Sequence, residues 1–354
     1  MKNIVFFVPY PKNQAPSQRF RFEQFIPFLN GYNIKFFPFW SKREYNLIHN
    51  SNNMLLKLLI FAKNLIKRIF LLIIFHRYDI IYIHLELFPI YLPFFEKIYL
   101  KIFKNKIIYD IDDFIFLPHK SKQKTFISYF RNPKRYFNYF KYSKYVFSAT
   151  RFFYKYIPDY ETKMVVIPSA INTKKYIPIK NKNNKKIVIG WSGSVTTSAY
   201  LYAIEDILEE LKKNYDFEIM IMGNKNFKFT NIECTAIDWS PDIEISTIQK
   251  FDIGLYPLFI EEWVLGKCGL KAFQYMALEI PVIATLTDVN KEFIIDGENG
   301  FLAKNKEEWY NKLELLIKNP ELRKSIGKKA RQYIINNYST DIIGNKFKTI
   351  IDNF

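Results

Sequence analysis

Residues 252–285 set the strongest limit on how this chain can fold. The stretch opens with a short apolar run, Ile253 to Leu258, interrupted by Pro257. A turn follows, Gly266-Lys267-Cys268-Gly269, and then an apolar pattern at helical spacing through Leu270, Phe273 and Ala277. Pro281-Val282-Ile283-Ala284 reads as a buried strand. Strand, glycine turn, helix and strand in that order predict an α/β unit whose helix begins at the carboxyl edge of a sheet.

A helix start in that position suits an anion. Its first amides have no acceptor within the helix, and the helix dipole adds partial positive charge there. Gly269 allows close approach of a backbone, and Lys267 and Lys271 bracket it. Lys271 falls in the first turn, where Asp or Glu is the ordinary choice and a lysine is unfavourable without an anion beside it. The other reading is a solvated basic turn in a lysine-rich chain.

These residues resemble the donor-site segment of glycosyltransferase family 4, a retaining family with the GT-B fold. Gly269-Leu270 falls on the family's glycine step, and Met276-Ala277 and Pro281-Val282-Ile283-Ala284 match its end. Both family glutamates are replaced, the first by Gly266 and the second by Gln274. The variant with Gly266-Lys267-Cys268, Lys271 and Gln274-Tyr275-Met276-Ala277 resembles a subgroup of bacterial family-4-like transferases. In the family the second glutamate accepts hydrogen bonds from the donor ribose, and Gln274 retains an acceptor oxygen without charge. The first glutamate is associated with the transferred sugar. Gly266 has no side chain for that task, and Glu261 or Glu262 just upstream is the substitute the resemblance implies, with Glu262 as the catalytic candidate.

The chain has 354 residues, enough for two ordinary domains, and 49% hydrophobic residues to build their cores. It carries 52 Lys+Arg against 34 Asp+Glu, a formal charge of +18. That balance points to an anionic partner, whether nucleotide, membrane surface or nucleic acid, or to a compositional drift toward lysine and asparagine throughout. Cys234 and Cys268 have neither zinc-site nor disulfide spacing, which fits a reducing cytoplasm. The amino terminus reads as a first strand, Ile4 to Val8, stopped by Pro9, and not as a signal peptide.

The residues after that strand include Arg19 and Arg21, at the point where a doubly wound domain meets its ligand. They read either as holding an acceptor or donor phosphate or as surface arginines. Residues 54–75 form the longest apolar stretch, but Lys57, Lys63, Asn64, Lys67 and Arg68 fall on one arc of a helix, opposite Leu58, Leu65, Ile69 and Leu72. This predicts an amphipathic helix with its basic face outward, in solvent or on anionic lipid. The run 79–84 is a buried strand ending in His84, with Glu86 beside it. A strand-end histidine is placed for chemistry or is a core histidine bonded to a carbonyl. The resemblance gives His84 a catalytic role on the acceptor side.

Residues 106–109 predict another strand, ended by Asp110, Asp112 and Asp113. Carboxylates so close need a cation, an arginine or hydroxyls. Acceptor-sugar hydroxyls are the preferred partner for Asp112 and Asp113, with helix capping as the structural alternative, and no metal is expected. Residues 118–145 interleave tyrosines with Lys and Arg, a pattern that can bind single strands, but no RNA-binding signature accompanies it and no nucleic acid is expected.

After the strand at 164–167, Pro168 and Asn172 match the family's Pro-Asn-Gly-Val-Asp segment, and residues 177–186 read as a linker. A second domain then opens with a strand and Trp191-Ser192-Gly193-Ser194, whose backbone amides can cradle phosphate. The family's arginine and lysine at the pyrophosphate are missing here, and Lys267 and Lys271 replace them. Trp239 falls in the family's base-binding loop. Residues 296–302 match a widespread family turn, and residues 307–354 predict helices.

The expected fold is therefore α/β, two Rossmann-like domains facing across a cleft. An acceptor-side domain spans 1–176, with 339–354 crossing back to it, and a donor domain spans 187–338. The implied reaction moves a sugar from a UDP- or GDP-sugar to a hydroxyl of a cell-envelope glycan or lipid-linked acceptor, with retention and without a further cofactor. The enzyme would work in the cytoplasm or on the cytoplasmic face of the membrane. A sugar-nucleotide epimerase and a non-catalytic nucleotide or nucleic-acid binder are the alternatives.

Overall fold

The computed structural model describes residues 1–117, 132–179, 185–260 and 266–354. It divides into two compact units. The first comprises Met1–Ser169, Gly266–Cys268 and Gly344–Phe354, and the second Ala170–Leu265 and Gly269–Ile343.

In the first unit the chain runs β1 (Lys2–Val8), α1 (Pro16–Arg19), β2 (Tyr32–Pro38), α2 (Lys42–Asn50), α3 (Met54–Leu72), β3 (Ile80–His84), α4 (Pro93–Ile102), β4 (Ile107–Ile111), α5 (Tyr136–Tyr142), β5 (Tyr145–Ser148), α6 (Phe153–Tyr156) and β6 (Met164–Val166). The strands form one parallel sheet in the order β2-β1-β3-β4-β5-β6. β3 and β4 are buried along their whole length, as strands covered on both faces must be. Alternation divides their side chains between two cores. Phe7, Ile81, Ile83 and Tyr109 lie on the side that packs Leu72, Leu100, Tyr139 and Phe140 from the connecting helices. Phe6 and Tyr82 lie on the other, the first stacked with Phe22 and the second tilted against it.

The second unit runs β7 (Ile187–Ser192), α7 (Val195–Ser198), α8 (Glu205–Asn214), β8 (Phe217–Met222), β9 (Thr235–Ile237), α9 (Glu244–Ile248), β10 (Ile253–Tyr256), α10 (Leu270–Ala277), β11 (Val282–Thr285), β12 (Phe301–Ala303), α11 (Lys306–Lys318), α12 (Pro320–Asn337) and α13 (Thr340–Asp352). Its parallel sheet has the order β12-β11-β10-β7-β8-β9. The last turns of α13 belong to the first unit, where Phe347 meets Phe25, Tyr82 and Phe147. Two doubly wound parallel sheets, with the terminal helix ending in the first, make the fold that the sequence predicts.

Each strand order reverses direction at one point, between β1 and β3 in the first sheet and between β7 and β10 in the second. Crevices at the carboxyl ends of such strands are where open α/β sheets take ligands.

α3 keeps its predicted orientation at Leu65, Ile69 and Leu72, which face the core, and at Lys63 and Lys67, which are exposed, but departs from it at three positions. Arg68 and Asn64, expected on the solvent face, are buried, while Leu58, expected on the covered face, is exposed. The cause is tertiary. Arg68 donates from Nη2 to the Val8 carbonyl at 2.9 Å and lies over the rings of Phe7 and Phe39. Burial without a carboxylate partner lowers its guanidinium to about 9.

Candidate functional site

At the reversal point of the second sheet, α10 is held against the strand ends by Tyr275. Its ring lies where a side chain on Gly254 would overlap it at 2.5 Å, and its hydroxyl accepts the Ser192 amide at 2.7 Å. The first turn of α10 is thereby fixed beside the end of β7. Gly269 caps the helix with φ +72°, a conformation that favours glycine. Lys271, in that first turn, donates to Thr197 Oγ1 at 3.1 Å and carries its Nζ 4.3 Å from the Trp191 ring centroid. The result is a cation aligned with the positive end of a helix.

Gly193 serves this arrangement by leaving room. A Cβ there would lie 2.3 Å from the Trp191 ring and 2.6 Å from Lys271 Nζ. The expectation that Gly193 and Ser194 offer their backbone amides to phosphate is corrected. The Gly193 amide donates to the Met222 carbonyl at 2.9 Å, and the Ser194 amide to Thr197 Oγ1 at 3.1 Å. Leu270, half-buried, opens α10.

Gln274, one turn further along α10, is buried and donates from Nε2 to the Tyr176 hydroxyl at 2.9 Å. Tyr176 donates to Glu244 Oε2 at 3.0 Å, and Trp239 Nε1 donates to the other oxygen of the same carboxylate at 2.9 Å. One buried carboxylate thus joins both residues predicted to meet a nucleoside. Neither Tyr176 nor Glu244 stands out in the sequence, because their pairing spans distant segments.

The reversal point of the first sheet holds a buried ionic cluster. Strand register sets His84 opposite Asp110, and His84 Nδ1 lies 2.6 Å from Asp110 Oδ2. Arg21 Nε donates to both Asp110 oxygens at 3.1 and 3.2 Å, and its Nη2 donates to Oδ1. All three side chains are fully buried, which corrects the surface reading of Arg21. Burial raises the Asp110 carboxyl, but Arg21 and then His84 outweigh it and hold the group down to about 2. An ionised Asp110 can only accept, so Nδ1 carries the histidine proton. His84 Nε2 and Arg21 Nη1 are buried with no hydrogen-bond partner. Leu85, directly after His84, has φ +62°, a strained setting for a branched residue.

Asp112 is buried near this cluster, and burial followed by the Asp113 charge pushes its carboxyl up to about 6. Asp113 and Arg19 are half-buried. Glu86 accepts from the Tyr136 hydroxyl at 3.1 Å and lies 3.6 Å from Arg135, so it belongs to the ionic group between α4 and α5. Lys267 belongs to the first unit and Lys271 to the second. At Gly266, where the family has a glutamate, a Cβ would meet the Phe114 ring at 2.7 Å. Glu261 and Glu262 lie outside the described residues, as do 118–131 of the basic aromatic stretch and 180–184 of the linker. Among the described residues no group of three or more His, Cys, Asp and Glu is disposed to hold a metal ion.

The paired parallel-sheet domains are those of GT-B glycosyltransferase structures. Anabaena HepE in complex with UDP-glucose matches over the whole of both chains, with a TM-score of 0.71 at 14% identity. Sucrose-phosphate synthase from Thermosynechococcus elongatus matches over 100% of this chain and 99% of its own, with a TM-score of 0.70 at 12% identity. Residues 248–333, which include Lys271 and Gln274, match the family model of glycosyl transferases group 1. An uncharacterised glycosyltransferase of Methanocaldococcus jannaschii is 28% identical over 52% of this chain and 57% of its own. The capsular polysaccharide biosynthesis glycosyltransferase CapM of Staphylococcus aureus is 24% identical over 51% of this chain and 49% of its own. The chain thus spans about half the length of these curated relatives.

Proposed function

We propose that this chain transfers a sugar from a nucleotide-sugar donor to a hydroxyl, with retention, and that the acceptor is a lipid-linked or cell-envelope glycan precursor. The observation that carries the reading is Lys271, a cation in the first turn of a helix at the reversal point of a parallel sheet, inside the stretch that matches the family model. Lys271 and the leading amides of α10 stabilise the charge that grows on the departing diphosphate. Gly193 leaves the room in which Lys271 lies beside Trp191, Gly269 opens the helix, and Ser194 and Leu270 flank its start. Gln274, oriented by Tyr176, offers its amide oxygen to the ribose, and Trp239 flanks the base.

In the first unit, His84 offers Nε2 to a sugar hydroxyl, and Arg21, Asp112 and Asp113 supply the acceptor side with charge and hydrogen bonds. A retaining reaction in which the leaving phosphate takes the acceptor proton needs no separate protein base. The UDP-glucose complex of HepE and the capsular assignment of CapM support the donor and acceptor classes.

The test is release of nucleoside diphosphate from UDP- and GDP-sugars, with and without a lipid extract of bacterial envelopes as acceptor. Acceptor-dependent release and a labelled lipid product are expected. Release that ignores the acceptor assigns the chain to epimerisation or hydrolysis, and binding without turnover makes it a binder.

A further inference from the structure

No helix among the described residues is long and apolar enough to cross a membrane, yet one side of the first unit is unusually apolar where it meets solvent. On α3, Leu59, Ile66 and Phe70 are 61%, 56% and 65% exposed, and Ile73, just beyond its end, is 61% exposed. On α4, Phe94 and Ile102 are 70% and 65% exposed. The two helices are neighbours, because Phe75, in the turn that continues α3, packs on Tyr99 and Phe103 at 5.7 and 5.4 Å. Scattered exposed apolar residues need no explanation, but a row of large ones across two adjoining helices does.

The charges interleaved with this row have one sign. α3 contains no acidic residue, and the one acid of α4, Glu96, is buried beneath it against Arg135. Lys67, Lys97 and Lys101 are exposed among the apolar side chains. Lys63 is also exposed and meets the largely covered Glu44 of α2 at 2.8 Å. Arg68, bonded to the Val8 carbonyl, is turned inward, while Leu59, Lys63, Ile66, Lys67 and Phe70 of the same helix face outward. An apolar face studded with lysines and free of exposed carboxylates on its own helices complements an anionic lipid surface, where alkyl and aromatic side chains enter the acyl boundary and ammonium groups meet phosphates.

We propose that the outward faces of α3 and α4 form a membrane-docking surface for anionic phospholipid. The proposal goes beyond the donor reading and involves no nucleotide sugar, so its failure leaves that reading untouched.

The test is cosedimentation of the full chain with vesicles of phosphatidylcholine alone, or of phosphatidylcholine and phosphatidylglycerol in equal parts, at about 0.05 M and about 0.5 M salt. Binding to the anionic vesicles at low salt is expected, with weaker binding at high salt and to the neutral vesicles. The double substitution Ile66→Ser and Phe70→Ser should reduce binding at least tenfold while circular dichroism stays that of the parent chain. The substitutions Lys67→Gln, Lys97→Gln and Lys101→Gln leave the apolar row intact and should reduce the preference for anionic over neutral vesicles, which keeps the test informative if the first variant misfolds. Full recovery of the parent chain in the supernatant with anionic vesicles overturns the proposal, and so does parental binding by a folded Ile66→Ser, Phe70→Ser variant. A concentration-dependent dimer that these substitutions disperse, without vesicle binding, also overturns it and gives the face to a second copy of the chain.

Discussion

Lys271 is the residue on which the donor reading turns. Its ammonium is held by Thr197 and the Trp191 ring, and Lys271→Ala removes charge from a half-buried position. Calorimetry should find nucleoside-diphosphate affinity weakened about tenfold or more, a loss of about 1.4 kcal/mol, with an unchanged melting temperature. Unaltered affinity removes this lysine from the site. In the first unit, Asp110 and Asp112 respond to pH with opposite signs. Asp110 lies near 2 when folded, below the ~3.9 of an unfolded aspartate, so its stabilisation is present above about 4 and disappears as pH falls toward 2. Asp112 lies near 6 when folded, so the native state holds its proton more tightly, and stability from this group declines as pH rises from about 4 through 6. Asp110→Asn should therefore cost about 3–5 kcal/mol at neutral pH by leaving Arg21 without its counter-charge. Asp112→Asn should add about 1–3 kcal/mol at pH 7 and little at pH 4. Thermal unfolding at the two pH values checks both, and an Asp112→Asn gain that is equal at pH 4 and 7 contradicts the shifted carboxyl.

At the level of the elements, α3 carries a buried arginine, Arg68, beside the apolar residues that anchor it in the core. Arg68 is a buried cation with a carbonyl and two rings for company, a setting in which a hydrophobe of similar length is often as good or better. Arg68→Met should change stability by about 0 to +3 kcal/mol in urea unfolding, and a loss of more than about 1 kcal/mol means that the carbonyl bond and ring contacts outweigh the burial of charge. The same helix marks the limit of what the sequence discloses. β3 and β11 are short apolar runs, and β8 is an apolar run with only Glu218 turned to solvent, so all three could be read directly. So could α10, whose glycine start and apolar spacing are local signals. β5 is four residues in a tyrosine-rich run without turn signals, and its sequence carries no strand signal for that reason. The burial of Arg68 on α3 depends on a Val8 carbonyl sixty residues away, which no helical wheel contains. Likewise the Gly193 amide could not be read as already bonded to Met222, nor Gln274 as tied to Tyr176, because both partners come from other elements.

At the scale of the whole molecule, likeness in fold and likeness in sequence have different reach. The fold resembles GT-B structures from end to end, whereas the family model covers only residues 248–333. Parallel strands require little more than apolar runs of the right length, so the first unit can keep its sheet while its loops and surface helices change. The matched stretch contains Gly254 and Tyr275, whose contact holds α10 against the sheet, and Lys271 at the helix start. The proposed transfer requires this stretch to bind the diphosphate of a nucleotide sugar. The most direct measurement is a calorimetric titration of the full chain with UDP, GDP, CMP and their sugars, run in parallel on Lys271→Ala. Saturable binding of one nucleoside diphosphate and its sugar, weakened about tenfold or more by the substitution, is the predicted result. Absence of binding by every member of the panel to the folded parent chain contradicts it.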